Sequence, residues 1–138
     1  MIVHDTQLRV RYGETDQMGF VYYGKYAEYF EVGRVELIRK LGITYKFVEE
    51  QGILMPVADL AIKYHRPARY DDLLTIRTTL PELPRSSFLT EYVIFNEAGE
   101  KLVSGKVRLA FFEPSSQRPI RVPDFILAAV TNNWPGEE

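Results

Sequence analysis

The chain has 138 residues, a formal net charge of −2 and a hydrophobic fraction of 46%. A chain of this length suits one domain with a single, well-supplied core. We therefore predict one domain spanning residues 1–138. The nearly balanced charge excludes a global electrostatic attraction to nucleic acid or to an anionic membrane surface, so we expect neither as a partner.

Two residue types that carry much of protein chemistry are scarce in this chain. It has no cysteine and two histidines, His4 and His65. Disulfides, thiolate metal sites and a cysteine nucleophile are therefore excluded, and little material is left for a histidine-based site, so we expect no metal. No apolar run approaches the roughly 20 residues of a membrane-spanning helix, and the N-terminus lacks a signal-peptide layout. We expect a cytoplasmic protein.

The first predicted element is a strand, and the second is a long helix. Apolar and polar residues alternate over residues 6–12, which is the period of a half-buried strand. Apolar residues recur at helical spacing over residues 23–41, and Gly42 is placed as a C-terminal stop. The helix carries a stripe formed by Tyr26, Phe30, Gly33, Leu37 and Leu41. Further apolar residues flank this stripe, so a larger surface than one sheet face should cover the helix.

The rest of the chain is predicted to be mainly strands. A short helix at residues 45–50 precedes four alternating segments at 57–65, 73–83, 86–96 and 101–112. Asn96 and Gly99 suit a tight turn, so the last two strands should form a hairpin. A short terminal helix is predicted after Pro123. We expect an α+β fold in which a curved antiparallel sheet of about five strands wraps the long helix.

The segment joining the first strand to the long helix, residues 12–26, is chemically distinctive because it combines carboxylates, glycines and aromatic residues. The first N–H groups of a helix lack internal acceptors and carry its positive dipole end, so those of Tyr23 and Gly24 are candidates for stabilising an oxyanion. Asp16 lies seven residues before Tyr23, on the incoming turn, and can fold back to face a carbonyl carbon or its attacking water. Asp16, Tyr23 and Gly24 are therefore the candidate catalytic groups.

A thioester is the substrate class that suits so few groups. By analogy with cysteine, its leaving thiol has a pKa of about 8.5. The thiol can therefore depart as thiolate without a general acid. An amide or alkyl ester normally requires a triad with a histidine. Neither histidine lies in residues 12–26.

Two stretches resemble a known family. The run RYGETDQMGFVYYGKYAEYFEVGRVELIRKLG at residues 11–42 is similar to the opening motif of 4-hydroxybenzoyl-CoA-type hotdog thioesterases, and YHRPARYDDLLTI at 64–76 is similar to a later stretch. The resemblance implies a hotdog fold, hydrolysis of an acyl-CoA to the free acid and CoA, and a homodimer or homotetramer with sites at subunit boundaries. CoA would enter only as part of the substrate, so no cofactor is expected.

The same resemblance implies roles for particular residues. An aspartate in this loop serves the family as nucleophile or as base for water, which the match carries onto Asp16. Backbone amides at the start of the central helix polarise the thioester carbonyl, which corresponds to Tyr23 and Gly24 here. The alternative for Asp16 is an ordinary turn aspartate that binds nearby N–H groups. Glu14 is a weaker candidate for the catalytic acid.

The acyl part of the substrate needs an apolar lining. Met18, Phe20 and Tyr22 lie near Asp16 in the sequence and are candidates for that lining. Ordinary core packing is the alternative explanation for all three.

The CoA part needs polar and cationic partners. His65 and Arg66 follow a predicted strand and are candidates for contacting pantetheine or phosphate. Arg85, Ser86 and Ser87 offer a guanidinium and two hydroxyls to a phosphate group, and a solvated turn is the alternative.

Two other functions remain open at this stage. An acyl-ACP thioesterase would use the same chemistry on a carrier-protein substrate. A non-catalytic acyl-CoA binding module would keep the fold and lose hydrolysis.

Overall fold

The computed structural model describes residues 1–136, so the last two residues of the predicted domain lie outside the described part. Within residues 1–136 no helix is both long and apolar enough to cross a membrane. The elements follow the chain as β1 (Ile2–Arg9), α1 (Lys25–Lys40), α2 (Tyr45–Glu50), β2 (Val57–Tyr64), β3 (Leu73–Leu80), β4 (Ser87–Phe95), β5 (Lys101–Glu113), β6 (Arg118–Ile120) and α3 (Asp124–Asn132).

The strands form one antiparallel sheet in the order β1-β3-β4-β5-β2, with the short β6 paired to β5. The sheet curls around α1, which confirms the predicted α+β hotdog arrangement. Strands β1 and β2 are the two edges of the main path. Because β2 lies beside β5, the spatial order of the strands departs from their order in the chain.

The buried face of α1 is the predicted stripe, since Tyr26, Phe30, Gly33, Leu37 and Leu41 are all buried. The ring of Phe30 stacks on that of Tyr92 in β4, with centroids 4.3 Å apart. Each large apolar side chain buried in this way contributes about 1.5–3 kcal/mol. The sheet and α1 therefore share one core.

Helix and sheet approach each other closely at Gly105 in β5. A Cβ at this position would lie 2.6 Å from the Phe30 ring and 2.5 Å from the carbonyl oxygen of Ala61. The glycine in the strand therefore serves close packing of backbone and ring.

Two predicted turns are confirmed. Gly42 directly follows Leu41, the C-cap residue of α1, and has φ +96°, which is the conformation of a glycine that ends a helix. Gly99 has φ +79° and its N–H donates to the carbonyl of Asn96 at 3.0 Å, which closes the β4–β5 hairpin.

Several predicted boundaries are wrong. The first strand ends at Arg9 and not at residue 12, because the chain turns into a 3-10 turn at Tyr12–Glu14 and leaves Tyr12 exposed. The long helix begins at Lys25 and not at residue 23, since the Lys25 N–H closes a turn onto the carbonyl of Tyr22. Strand β3 ends at Leu80, before Pro81, which has no N–H for the ladder.

Candidate active site

The loop between β1 and α1 makes a tight turn around Asp16. One carboxylate oxygen, Oδ1, accepts the N–H groups of Met18 at 2.9 Å and Phe20 at 3.2 Å. The Asp16 N–H donates to the Phe20 carbonyl at 2.7 Å, and Gly19 adopts φ +81°. Asp16 therefore does what an ordinary turn aspartate does, and its backbone and carboxylate are both held in place.

This turn is anchored to the segment after β2. Within the loop, Thr15 forms an isolated bridge with Val21. Phe20 forms another with Arg69, and the Val21 N–H donates to the Ala68 carbonyl at 2.9 Å. Residues that are about 50 positions apart in the chain are therefore fixed against each other.

The Asp16 turn and the end of β2 border an open cavity of about 350 Å³. Of the residues predicted to form the site, the structure brings together Asp16, Met18, Phe20, Tyr23, His65 and Arg66 around this cavity. Four further lining residues were missed in the sequence analysis, and these are Val21, Tyr26, Tyr64 and Pro67. Tyr64 and Pro67 belong to the second family-like stretch, which was the available signal for them.

Aromatic rings form one wall of the cavity. Tyr26 packs edge-to-face against Tyr64, with centroids 5.6 Å apart, and the Tyr26 hydroxyl accepts the Ala68 N–H at 3.2 Å. Burial raises the pKa of Tyr26 above its usual range, so this phenol is neutral at physiological pH. The Tyr64 hydroxyl donates to the carbonyl of Tyr23 at 3.1 Å. The wall is therefore tied to the start of α1.

Two N–H groups at the start of α1 are available to a ligand. The N–H of Lys25 is not one of them, because it donates to the Tyr22 carbonyl at 2.9 Å. Among residues 1–136 the N–H groups of Tyr23 and Gly24 have no hydrogen-bond acceptor. These are the two amides that the sequence indicates as oxyanion donors.

Tyr22 and Gly24 lie beside the cavity and do not line it. The exposed Tyr22 ring covers Gly24, where a Cβ would come within 2.7 Å of the Tyr22 Cε2 atom. The Tyr22 ring also packs against that of Tyr23, with centroids 4.5 Å apart. Its part in the acyl lining stays a prediction.

The polar rim of the cavity is formed by His65 and Arg66. The His65 Nε2 atom lies 2.9 Å from the Ser104 hydroxyl, and the Arg66 guanidinium binds Glu100 at 2.8 Å. Partial desolvation, together with Lys101 and Lys63, lowers the pKa of His65 below its ordinary value. The imidazole is therefore mainly neutral near pH 7.

Arg85, Ser86 and Ser87 are not brought to this cavity. They line a separate cavity of about 540 Å³, together with Arg108, whose guanidinium donates to the Ser87 hydroxyl at 2.6 Å. Ser87 pairs with Ala110, whose N–H donates to the carbonyl of Pro56 just before β2, so this second cavity lies near the beginning of β2. The Asp16 cavity lies at the end of β2. These two ends are roughly 23 Å apart at about 3.3 Å per residue.

Other acids near the loop lie outside the lining of the Asp16 cavity. Glu14 binds the Tyr29 hydroxyl, Glu28 forms an exposed ion pair with Lys25, and Glu31 is exposed. Within residues 1–136, no three His, Asp or Glu side chains come together as a metal site. Asp16 is therefore the carboxylate that opens onto this cavity.

Comparisons with known proteins relate this chain to thioesterases. Residues 10–130 match the family model of the thioesterase-like superfamily. The putative acyl-CoA thioesterase YneP of Bacillus subtilis is 36% identical over 88% of both chains, and the acyl-CoA thioesterase YbgC of Haemophilus influenzae is 32% identical over 88% of this chain and 90% of its own.

A solved structure extends the likeness to the whole fold. The DHNA-CoA thioesterase from Staphylococcus aureus is 35% identical, superposes with a TM-score of 0.86, and is matched over 99% of this chain and 98% of its own. The chain therefore belongs to the thioesterase-like superfamily, among the hotdog-fold acyl-CoA thioesterases, and is a hydrolase of the thioesterase class.

Proposed function

We propose that this protein hydrolyses an acyl-CoA at the Asp16 cavity, with Asp16 as nucleophile or general base and the Tyr23 and Gly24 amides as the oxyanion hole. The observation that carries the proposal is the shared cavity of Asp16 and Tyr23, beside two helix-start N–H groups without acceptors among residues 1–136. A carbonyl bound there would meet a carboxylate and N–H donors together.

The fixed turn leaves one carboxylate oxygen for chemistry. Oδ1 of Asp16 accepts two backbone N–H groups, whereas Oδ2 has no hydrogen-bond donor within residues 1–136. As nucleophile, Oδ2 bonds to the carbonyl carbon, the C–S bond breaks, CoA leaves as thiolate, and water then cleaves the mixed anhydride. As base, it takes a proton from water that attacks the same carbon. Both routes yield the free acid and CoA.

The magnitudes are adequate for turnover. A positioned general base contributes about 10²–10⁴-fold in rate. Each oxyanion donor contributes roughly 2.7–4 kcal/mol to transition-state stabilisation. Because the thiolate is a good leaving group, the proposed reaction needs no metal or redox cofactor, and turnover should be unchanged by EDTA.

The CoA moiety is proposed to contact two subunits. The edge strand β2 exposes Val57, Leu60 and Tyr64, with 44–55% of each accessible, which is unusual for an unpaired edge. Two-fold antiparallel pairing of β2 with its copy would cover these side chains. It would also bring the beginning of one β2 beside the end of the other.

That pairing accounts for the two separate cavities. Arg85 of the partner subunit, with its two neighbouring serines, would stand beside the Asp16 cavity and offer a phosphate-binding group. Light scattering should give a dimer or tetramer, and Leu60→Lys should lower the assembly state. A wild-type monomer at micromolar concentration would contradict this part of the proposal. Cytoplasmic location stays a prediction from the sequence.

The direct test is release of free thiol from a panel of short, long and aromatic acyl-CoAs, with the matching acyl-ACPs beside them. Faster turnover of acyl-ACPs would favour the carrier-protein alternative. Measurable binding without thiol release from any substrate would identify a non-catalytic binding module and refute the proposed hydrolysis.

A further inference from the structure

The Tyr22–Tyr23 and Tyr23–Gly24 peptide groups at the start of α1 have the same pattern of hydrogen bonding. Each has an N–H without an acceptor among residues 1–136 and a carbonyl that accepts a hydrogen bond. The Tyr22 carbonyl accepts the Lys25 N–H at 2.9 Å, which is local to the turn. The Tyr23 carbonyl accepts the Tyr64 hydroxyl at 3.1 Å, from a residue 41 positions away.

The Tyr23 carbonyl and the Gly24 N–H belong to the same planar peptide. Because the peptide is rigid, a donor that holds the carbonyl also sets the direction of the N–H. Hydrogen bonds in a chain polarise one another, so a carbonyl that accepts a hydrogen bond makes the N–H of the same peptide a stronger donor, by about 10–30%. The Tyr64 hydroxyl therefore acts on the Gly24 N–H from the far side of the peptide.

Tyr64 is itself held in position. Its ring packs edge-to-face on Tyr26, which is 2% exposed and whose hydroxyl is bound to the Ala68 N–H. The ring of Tyr64 lines the cavity while its hydroxyl is directed to the helix start. One side chain thus joins the cavity wall to the oxyanion donor.

We infer that Tyr64 is a positioning residue, whose hydroxyl orients and polarises the Tyr23–Gly24 peptide so that the Gly24 N–H can stabilise the oxyanion. This inference rests on the proposed function. It assigns to Tyr64 an effect on the chemical step, separate from the contribution of its ring to substrate binding.

The test variant is Tyr64→Phe, which keeps the ring and its packing on Tyr26 and removes only the hydroxyl. We expect kcat to fall about three- to tenfold, the range of one neutral hydrogen bond, with KM within about twofold. The control is Tyr70→Phe, which removes the hydroxyl of an exposed tyrosine and keeps the ring that packs against Tyr12 outside the cavity. It should leave both kinetic constants unchanged.

A second readout does not depend on activity. In ¹H–¹⁵N spectra of the substrate-free full chain, loss of the hydrogen bond to the Tyr23 carbonyl should shift the Gly24 amide resonance upfield. Tyr70→Phe should leave that resonance in place. A merely structural role of Tyr64 would lower the melting temperature and would not single out the Gly24 amide.

The possible failures are distinguishable. If the wild type releases thiol and Tyr64→Phe has wild-type kcat, or if the Gly24 resonance does not move, the inference about Tyr64 is overturned and the proposed hydrolysis stands. If the wild type releases no thiol from any substrate of the panel, the proposed function is refuted, and the inference falls with it.

Discussion

The hydroxyl of Tyr29, on the buried side of α1, donates a hydrogen bond to the carboxylate of Glu14, with the two oxygen atoms 3.1 Å apart. The same carboxylate oxygen accepts the Arg11 N–H at 2.8 Å. Glu14 therefore ties the 3-10 turn that precedes Asp16 to the central helix. A carboxylate with two donors on one oxygen serves to hold the loop in place.

This arrangement separates the roles of two nearby acids. Glu14→Gln should retain most activity, because the amide oxygen can still accept both hydrogen bonds. Glu14→Ala should lower the free energy of unfolding by about 1–3 kcal/mol, because it leaves two donors without their acceptor. Thermal unfolding and thiol release measure the two effects. A loss of activity in Glu14→Gln comparable to that of Asp16→Asn would contradict the assignment.

Asp16→Asn should slow hydrolysis strongly and preserve the fold. The asparagine oxygen can still accept the N–H groups of Met18 and Phe20, but an amide is neither a base nor a nucleophile here. We expect kcat to fall by about 100-fold or more, with an unchanged melting temperature.

The matched control for this change is Asp71→Asn. Asp71 is exposed and has φ +68°, a conformation that asparagine also tolerates. Activity of this control should equal that of the wild type. Near-normal turnover of Asp16→Asn would remove Asp16 from the mechanism.

The stability of the fold should fall at alkaline pH, in part through Tyr29. Burial, and then the nearby Glu14 carboxylate, raise the pKa of Tyr29 well above its ordinary value. Above about pH 10 the unfolded chain loses this proton while the folded chain keeps it, so the free energy of unfolding decreases as the pH rises. The stabilisation is complete below that pH.

Tyr29→Phe provides the comparison, because phenylalanine has no proton to lose. Urea unfolding at pH 8 and pH 10.5 should show that the wild type loses more stability between the two values than the variant does. The other buried tyrosines are present in both proteins, so the difference between the two losses reports mainly on Tyr29. Parallel losses would show that Tyr29 does not contribute.

Gly105→Ala should destabilise the protein by about 1–3 kcal/mol, because its Cβ would press on the buried Phe30 ring and on the backbone of β2. Gly13→Ala is the control, since a Cβ at Gly13 meets nothing within 4 Å. Chemical denaturation compares the two variants. Equal stabilities would mean that helix and sheet can separate at this point at no cost.

Much of the fold can be predicted from local patterns. The stripe from Tyr26 to Leu41 and the glycine stop at Gly42 reflect the period and the backbone freedom of single elements. The hairpin after Asn96 follows from turn residues in the same way. The boundary errors occur where a local turn or a proline ends the repeating pattern, as at the 3-10 turn Tyr12–Glu14 and at Pro81.

The sequence by itself determined the long apolar helix, the strand-rich remainder and the loop with Asp16, because these depend on periodicity and on residues close together in the chain. Only the tertiary structure decided which side chains share the cavity. It placed β2 beside β5, so that Tyr64 and His65 meet Asp16, while Arg85 lies at the other end of β2. That choice follows from covering the broad face of α1 with one curved sheet, which is a property of the whole chain.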